Sequence, residues 1–436
     1  MLKKLLTQKN IIRNLIFIFI FTIVNTSPAV PFELEDISFD VERRKPQFEN
    51  EYSHGIIPVP YRIPGIGDGL GFGMVLSNIK GSYIDLYGLA IQGDVEGYAI
   101  AVNDFHIVPE RLIFDFGYSK INKASFPINY SRGMEGDENP DDFNQAEISN
   151  LINYGGQLYL TFDERKYELN LYRYQHISHV DRIRDTDGDI LFEIDDSEKS
   201  VGTTTGLSVT VDLTDDRHDP RKGFRINILS DLPGDSNEDE INYYTIDVNT
   251  TAYFPVLSYS TLVFNFFKSD THVLEKGETD RNKIAEKYSI SPCLPGDTEC
   301  EEARDFYIDK IYAQNSYGSA SSLGGLSRLR SFSTMRYRGA HTRFFGTEFR
   351  WNLTDEKTPF NLWFLKDIRT SFQIAFFYEI GSIADHEEDL YEETRHSTGV
   401  GLRAVMASGM VFRIDVATGE EGSEFVIFFD YPWTFL

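Results

Sequence analysis

The sequence predicts an all-β fold, a 16-stranded antiparallel transmembrane β-barrel, on three observations. The first is alternation. In LNLYRYQ, Leu169, Leu171 and Arg173 fall on one face, and Asn170, Tyr172 and Tyr174 on the other. In GLSVTVDL, Leu207, Val209 and Val211 alternate with Ser208, Thr210 and Asp212. A period of two is that of a strand whose faces meet different surroundings. The second observation is one-sided loop length: short connections and long acidic ones take turns along the chain, as in bacterial barrels. The third is composition. Phe numbers 34 and Tyr 24 in an acidic chain, which suits aromatic girdles at two membrane interfaces. No window beyond residue 29 approaches eighteen uncharged apolar residues, so a spanning helix is not expected there.

The elements follow in order. Residues 1–29 read as a signal peptide, with Lys3, Lys4, Lys9 and Arg13 as a basic head, an apolar run from Leu15 to Val24, and a small-residue cut at Ser27-Pro28-Ala29. Residues 30–55 form a short periplasmic tail, and 56–436 the barrel. Strands are expected at 56–64, 69–78, 82–92, 95–105, 111–121, 151–163, 166–179, 203–213, 223–232, 241–254, 258–270, 342–353, 369–380, 396–406, 409–417 and 423–433. The acidic segments 122–150, 180–202, 271–341 and 381–395 then fall on one side, and the sixth outer loop is 271–341. Only 275–310 could hold a short helix. Even strand number and one-sided loops place the barrel in a bacterial outer membrane.

The formal charge is −26, and removing the basic head leaves about −30. Such a chain does not seek nucleic acid. Cys293 and Cys300, in an exported chain, are expected to form one disulfide that staples a loop. No motif for a metal, a cofactor or a catalytic triad is present, so an enzyme is not expected. DTDGDILFEID has alternating acids but lacks the glycine of a calcium loop, and reads as an acidic outer loop. His176 and His179 fall on opposite faces of one strand and cannot share a metal.

LTDDRHDPRKGF, residues 213–224, is the densest cluster of charge. In the strand order it is the periplasmic turn between strands eight and nine. Pro220 cannot donate to a ladder, and Gly223 permits a positive φ at re-entry. Asp215 and Asp219 can cap turn amides, and Arg217 can tie two aspartates together. The cluster reads as a corner, with no nucleophile or second histidine near His218.

Four segments carry a family resemblance. D-x-R-x-D-P-x-x-G-x-R (Asp215, Arg217, Asp219, Pro220, Gly223, Arg225) resembles a turn of the BamA/TamA superfamily, also called the bacterial surface antigen family. LGGLSRLRSFSTMRYRGAHTRFFGTEFRW resembles that family's sixth outer loop, with Leu329-Arg330-Ser331-Phe332 at the tip and Glu348 and Arg350 in the returning strand. FFYEIGSIAD, with Glu379 and Gly381, is similar to the family's thirteenth strand. The ending SEFVIFFDYPWTFL resembles a barrel-insertion signal, with Phe429, Tyr431, Trp433 and Phe435 alternating.

The resemblance implies that the loop tip folds into the lumen and that Arg330 pairs with Glu379. Ser331 departs from the family's glycine, and Glu379 from its aspartate. The tail is too short for the periplasmic POTRA domains of assembly members, which resembles the POTRA-less branch. The implied function is insertion or translocation of protein or lipid at the outer membrane. The alternative is a passive pore or surface antigen that keeps the fold without that activity. Expected partners are outer-membrane lipids and lipopolysaccharide, with unfolded outer-membrane proteins or a separate periplasmic partner as candidates.

Overall fold

The computed structural model describes residues 41–48, 52–128, 132–134, 144–184, 189–193, 200–233, 241–287, 296, 298–354, 360–362, 365–368, 370–406 and 410–434. The chain divides into Met1–Val41 and Glu42–Leu436, and every element below belongs to the second unit. The signal segment and most of the expected tail lie outside the described residues.

Sixteen strands close on themselves: β1 Ser53–Ile63, β2 Gly67–Ser77, β3 Asp85–Gly93, β4 Glu96–Val108, β5 Leu112–Ile128, β6 Asn144–Phe162, β7 Tyr167–Arg184, β8 Ser200–Thr214, β9 Gly223–Asp231, β10 Asn242–Leu257, β11 Ser260–Glu275, β12 His341–Asn352, β13 Thr370–Ala384, β14 Arg395–Met406, β15 Val411–Gly419 and β16 Gly422–Phe429. Each pairs antiparallel with its sequence neighbour, and β1 meets β16 to complete the ring. A short strand, Ile190–Glu193, adds to β7, and Phe360–Leu362 pairs with Leu365–Ile368 in the connection before β13. Closure removes the free edges of an open sheet, which is what lets a sheet sit in a bilayer, and the β1–β16 join is its thinnest ladder.

The alternation read from the sequence sets the two faces. Leu169, Leu171, Leu207 and Val209 are exposed on the outside, as are Leu70, Phe72 and Met74. In water such a surface would be an aggregation hazard, and in a bilayer it is the favoured one. Asn249 on β10, Asn265 on β11, Gln373 and Glu379 on β13 and Asp415 on β15 are buried polar groups that face inward.

All sixteen expected strands are present, and six boundaries differ by more than three residues, on β5, β6, β7, β11, β13 and β16. β5 and β6 run on beyond the expected 121 and 151, held by pairs from Lys123↔Ser149 to Ile128↔Asn144. Beyond the bilayer both faces of a strand see water, so the ladder continues after the apolar alternation has stopped. The last strand ends at Phe429, not at 433. Asp430 has φ 62, which turns the chain out of the ladder. The sixth outer loop carries α1, Arg281–Lys287, and α2, Thr298–Tyr317, the second much longer than a short helix. Ile284 and Ala285 of α1 pack on Ile308 of α2.

Candidate functional site

The tip of the sixth loop enters through two glycines in the left-handed region, Gly324 (φ 103) and Gly325 (φ 102). Leu329 follows at φ 52, the conformation that aims the next side chain. Arg330 is 0% exposed. Its Nε donates to Glu379 Oε1 at 3.0 Å, and its backbone N–H donates to Glu379 Oε2 at 3.0 Å. Its Nη1 donates to Asp415 Oδ2 at 2.8 Å. The guanidinium carbon lies 3.4 Å from the centroid of the Phe377 ring, a cation–π seat in a dry site.

The pair belongs to a larger network. Glu348 on β12 receives Arg350 Nε at 2.6 Å and both terminal nitrogens of Arg403 at 2.7 Å. Arg413 Nη1 donates to Asp415 at 2.6 Å, and its Nη2 donates to the loop carbonyl of Leu326 at 2.6 Å. Four guanidinium groups therefore share three carboxylates, all with almost no solvent contact. Arg403 grips Glu348 with both terminal nitrogens, and removing Arg330 leaves Glu379 without its ion-pair partner.

Shape reinforces charge. A Cβ on Gly381 would stand 2.5 Å from Leu323 Cδ1 and 3.2 Å from Leu329 Cδ1, so a larger residue would press the tip's leucines aside. Ser331, in the family's glycine position, meets Ser397 Oγ through its own Oγ at 2.6 Å. Phe332 is buried edge-on to Tyr337, with ring centroids 5.3 Å apart.

The turn between β8 and β9 is a second charged cluster. Asp215 Oδ1 accepts the backbone N–H groups of Arg221 (2.8 Å) and Lys222 (3.0 Å). Asp219 Oδ1 accepts from Tyr431 Oη at 2.7 Å and from Gln373 Nε2 at 3.1 Å. Pro220 is buried beside them. Gly223 has φ 102, and a Cβ there would meet the Leu213 carbonyl at 2.0 Å. Residues 43–45 dock on this turn: Arg44 Nε pairs with Asp215 at 2.8 Å and Lys45 Nζ with Asp216 at 3.2 Å. Arg43 Nη1 donates to the Thr214 carbonyl at 3.0 Å.

A model of the Omp85 superfamily domain matches residues 111–424. The chain belongs to the Omp85 superfamily. Among solved structures, BamA from Haemophilus ducreyi lacking POTRA domains 1–3 is similar at 12% identity, TM-score 0.46, over 87% of this chain and 70% of that one. CdiB from Escherichia coli is similar at 11% identity, TM-score 0.46, over 86% and 61%. CdiB from Acinetobacter baumannii is similar at 11% identity, TM-score 0.44, over 88% and 65%. The chain thus spans less than two thirds of either CdiB. No curated protein sequence matches it.

In this Omp85 barrel Arg330, Phe332, Glu379 and Gly381 come together. Asp215, Asp219, Pro220 and Gly223 share one turn, but Arg217 does not tie two aspartates. It pairs with Glu168 on β7, which also takes Arg165 Nε at 2.7 Å, while Arg225 pairs with Asp212 at 2.9 Å. The aspartates of the turn already have other cations: Asp215 has Arg44, Asp216 has Lys45, and Asp219 has Arg221. Phe429 closes β16, whereas Tyr431 and Trp433 leave the strand for the interior. Trp433 Nε1 donates to Glu379 Oε1 at 2.8 Å, so the expected row of alternating aromatics is broken in two. Phe435 and Cys293 lie outside the described residues, as does the side chain of Cys300.

Sequence reasoning missed Asp415, Arg403 and Arg413. Their signal was charge at every second position of strands that are otherwise apolar or small, as in FRIDV and GLRAV. Beside the network, on the side of β6–β10, the barrel keeps a cavity of about 870 Å³, walled by residues such as Tyr159, Asn170, Tyr172, Asp212 and Asn249.

Proposed function

We propose that this Omp85 barrel aids insertion or translocation of protein or lipid at the outer membrane, without covalent chemistry. The seam between its first and last strands carries the reading. β1 registers with β2 through eleven pairs, from Ser53↔Ser77 to Ile63↔Gly67. Among the described residues it registers with β16 through one, Arg62↔Ile427. A barrel that only encloses a pore gains from a complete ladder, while one that passes cargo sideways needs a weak join. The Arg330 network supports the same reading. The tip of the sixth loop acts as a latch that ties β12, β13 and β15 together on the C-terminal side of the soft seam.

The partners are outer-membrane lipids and lipopolysaccharide around the barrel, with unfolded outer-membrane proteins as clients or a separate periplasmic partner delivering them. The test is depletion of the protein in its own cell. Other barrels should fall several-fold in the outer membrane while their transcripts hold. If their abundance and lipid composition stay constant while purified protein conducts ions, the barrel is a passive pore and this reading is wrong.

A further inference from the structure

The outer face of the barrel changes character at one level across four neighbouring strands. Successive outward residues of β7 are Leu169, Leu171, Arg173 and Gln175, and those of β8, read the same way, are Val209, Leu207, Thr205 and Thr203. The two strands are in register there, with Leu171↔Leu207, Arg173↔Thr205 and Gln175↔Thr203. β5 and β6 change together with them. Phe116↔Gly156 is followed by Tyr118↔Tyr154, and then comes Lys120, which registers with Tyr98 on β4. Gly156↔Arg173 and Tyr154↔Gln175 join the two halves into one polar patch. One step further along, Ile152, Ile177 and Val201 are apolar again, and Val201 is 57% exposed. The patch is therefore enclosed by lipid-facing surface.

Its charge is unbalanced. Arg173 is exposed, and its Nη1 donates to Thr205 Oγ1 at 3.2 Å. Among the described residues neither Arg173 nor Lys120 has an ion-pair partner. Glu96 on β4 registers with Lys123, further out, and the patch itself holds no acid. Two unpaired cations thus stand together on a chain whose formal charge is −26. A lipid-facing cation is costly unless it reaches the interface and an anion meets it there. The tyrosines mark that interface, since their rings settle at headgroup level. Tyr98 and Tyr118 lie with ring centroids 6.1 Å apart, and the Tyr154 hydroxyl donates to Gln175 Oε1.

We propose that Lys120 and Arg173, with the tyrosines between them, bind the phosphorylated headgroup of lipopolysaccharide on the outside of the barrel. The missing partner of each cation is a phosphate, which a guanidinium and an ammonium both hold through charge-assisted hydrogen bonds. The leaflet follows from direction. The patch lies on the long-loop side of Leu169 and Leu171, and the long loops face the cell surface. Two cations on separate strands suit a headgroup with two phosphates, whereas a phospholipid brings one. Phe116, Leu171 and Leu207, all exposed just beneath, offer a bed for the acyl chains. The proposed function supplies the outward direction of the loops and the lipid partner, and this site gives that partner a place on β5–β8.

The test uses the full chain in detergent micelles, each variant first required to show a heat-modifiable folded band. Diphosphoryl lipid A and, separately, phosphatidylglycerol are titrated in, and bound lipid is counted by native mass spectrometry. Wild type should hold lipid A, and affinity should fall by roughly ten-fold in Arg173→Gln and in Lys120→Gln. Arg173→Lys, which keeps the charge, should recover most of the loss. Arg111→Gln, which removes an exposed cation from the short turn between β4 and β5 at the other end, should bind as wild type does. If Arg173→Gln gives no folded band, Lys120→Gln decides alone. Lipid A binding that neither glutamine variant weakens overturns the site. Phosphatidylglycerol held as tightly as lipid A, and lost in the same variants, overturns the choice of lipopolysaccharide. If lipid A is held as expected but depletion leaves other barrels intact, the site stands and the cellular function is at fault.

Discussion

The barrel holds two clusters of paired charge, and they are built differently. Around Arg330 every member is dry: Arg330, Glu379 and Asp415 have side chains at 0% exposure. At the turn after β8, Arg44 keeps 26% of its side chain in solvent and Arg217 24%. The first cluster joins a distant loop to three strands through charge in a site where no water can substitute for a lost partner. The second joins residues 43–45 to a turn that backbone amides already hold. Removing a partner from the dry cluster strands a buried charge, whereas at the turn water takes its place.

Substitutions can sharpen this contrast. Arg330→Ala should cause the largest loss, about 3–5 kcal/mol, because it leaves the buried Glu379 without its ion-pair partner and takes one of the guanidinium groups from Asp415. Heat-modifiable gel mobility reads it, and a folded band as heat-resistant as wild type would show the network to be decorative. Gly381→Val should cost about 1–3 kcal/mol by pressing on Leu323 and Leu329, seen as a lower midpoint in urea. Asp219→Asn should cost about 1–2 kcal/mol, since Tyr431 and Gln373 keep a weaker acceptor. Arg44→Ala, at the wet cluster, should cost about 0–1 kcal/mol and should matter less as salt rises. An Arg44 effect as large as that of Arg330 would erase the distinction between the clusters.

Acid separates them as well. Burial first, and then the Arg217 guanidinium, pull the His218 imidazole from 6.5 down to about 4, against the opposing pull of Asp216. The unfolded chain therefore binds a proton that the folded turn refuses. Stability from this site is intact above pH 6.5 and lost as pH falls from 6.5 toward 4. His218→Gln should flatten that part of an unfolding-versus-pH profile, and an unchanged slope would remove His218 from the account.

Much of this was legible in the sequence. Leu169 and Leu171 against Asn170 and Tyr172 gave the strand and its faces, because lipid and interior impose opposite demands on neighbouring residues. Arg330 and Glu379 were legible through resemblance, since each sits in a recognisable motif. Asp415 and Arg403 were not, because one charge in a strand does not say which distant loop will meet it. The inward turn of Tyr431 and Trp433 was hidden for a related reason. Alternating aromatics look the same whether the strand continues or Asp430 breaks it.

The hydrogen bond from Trp433 to Glu379 has a consequence for timing. Its donor lies among the last residues of the chain, and its acceptor sits beside the guanidinium that the sixth loop delivers. Tyr431 likewise completes the acceptor set of Asp219, more than two hundred residues earlier. Neither centre reaches its final bonding until the chain's end has arrived. A nascent or truncated polypeptide can pair neighbouring hairpins, but contacts of such long sequence separation form late. Tyr431 and Trp433 thus lock both centres only after the strands before them have paired.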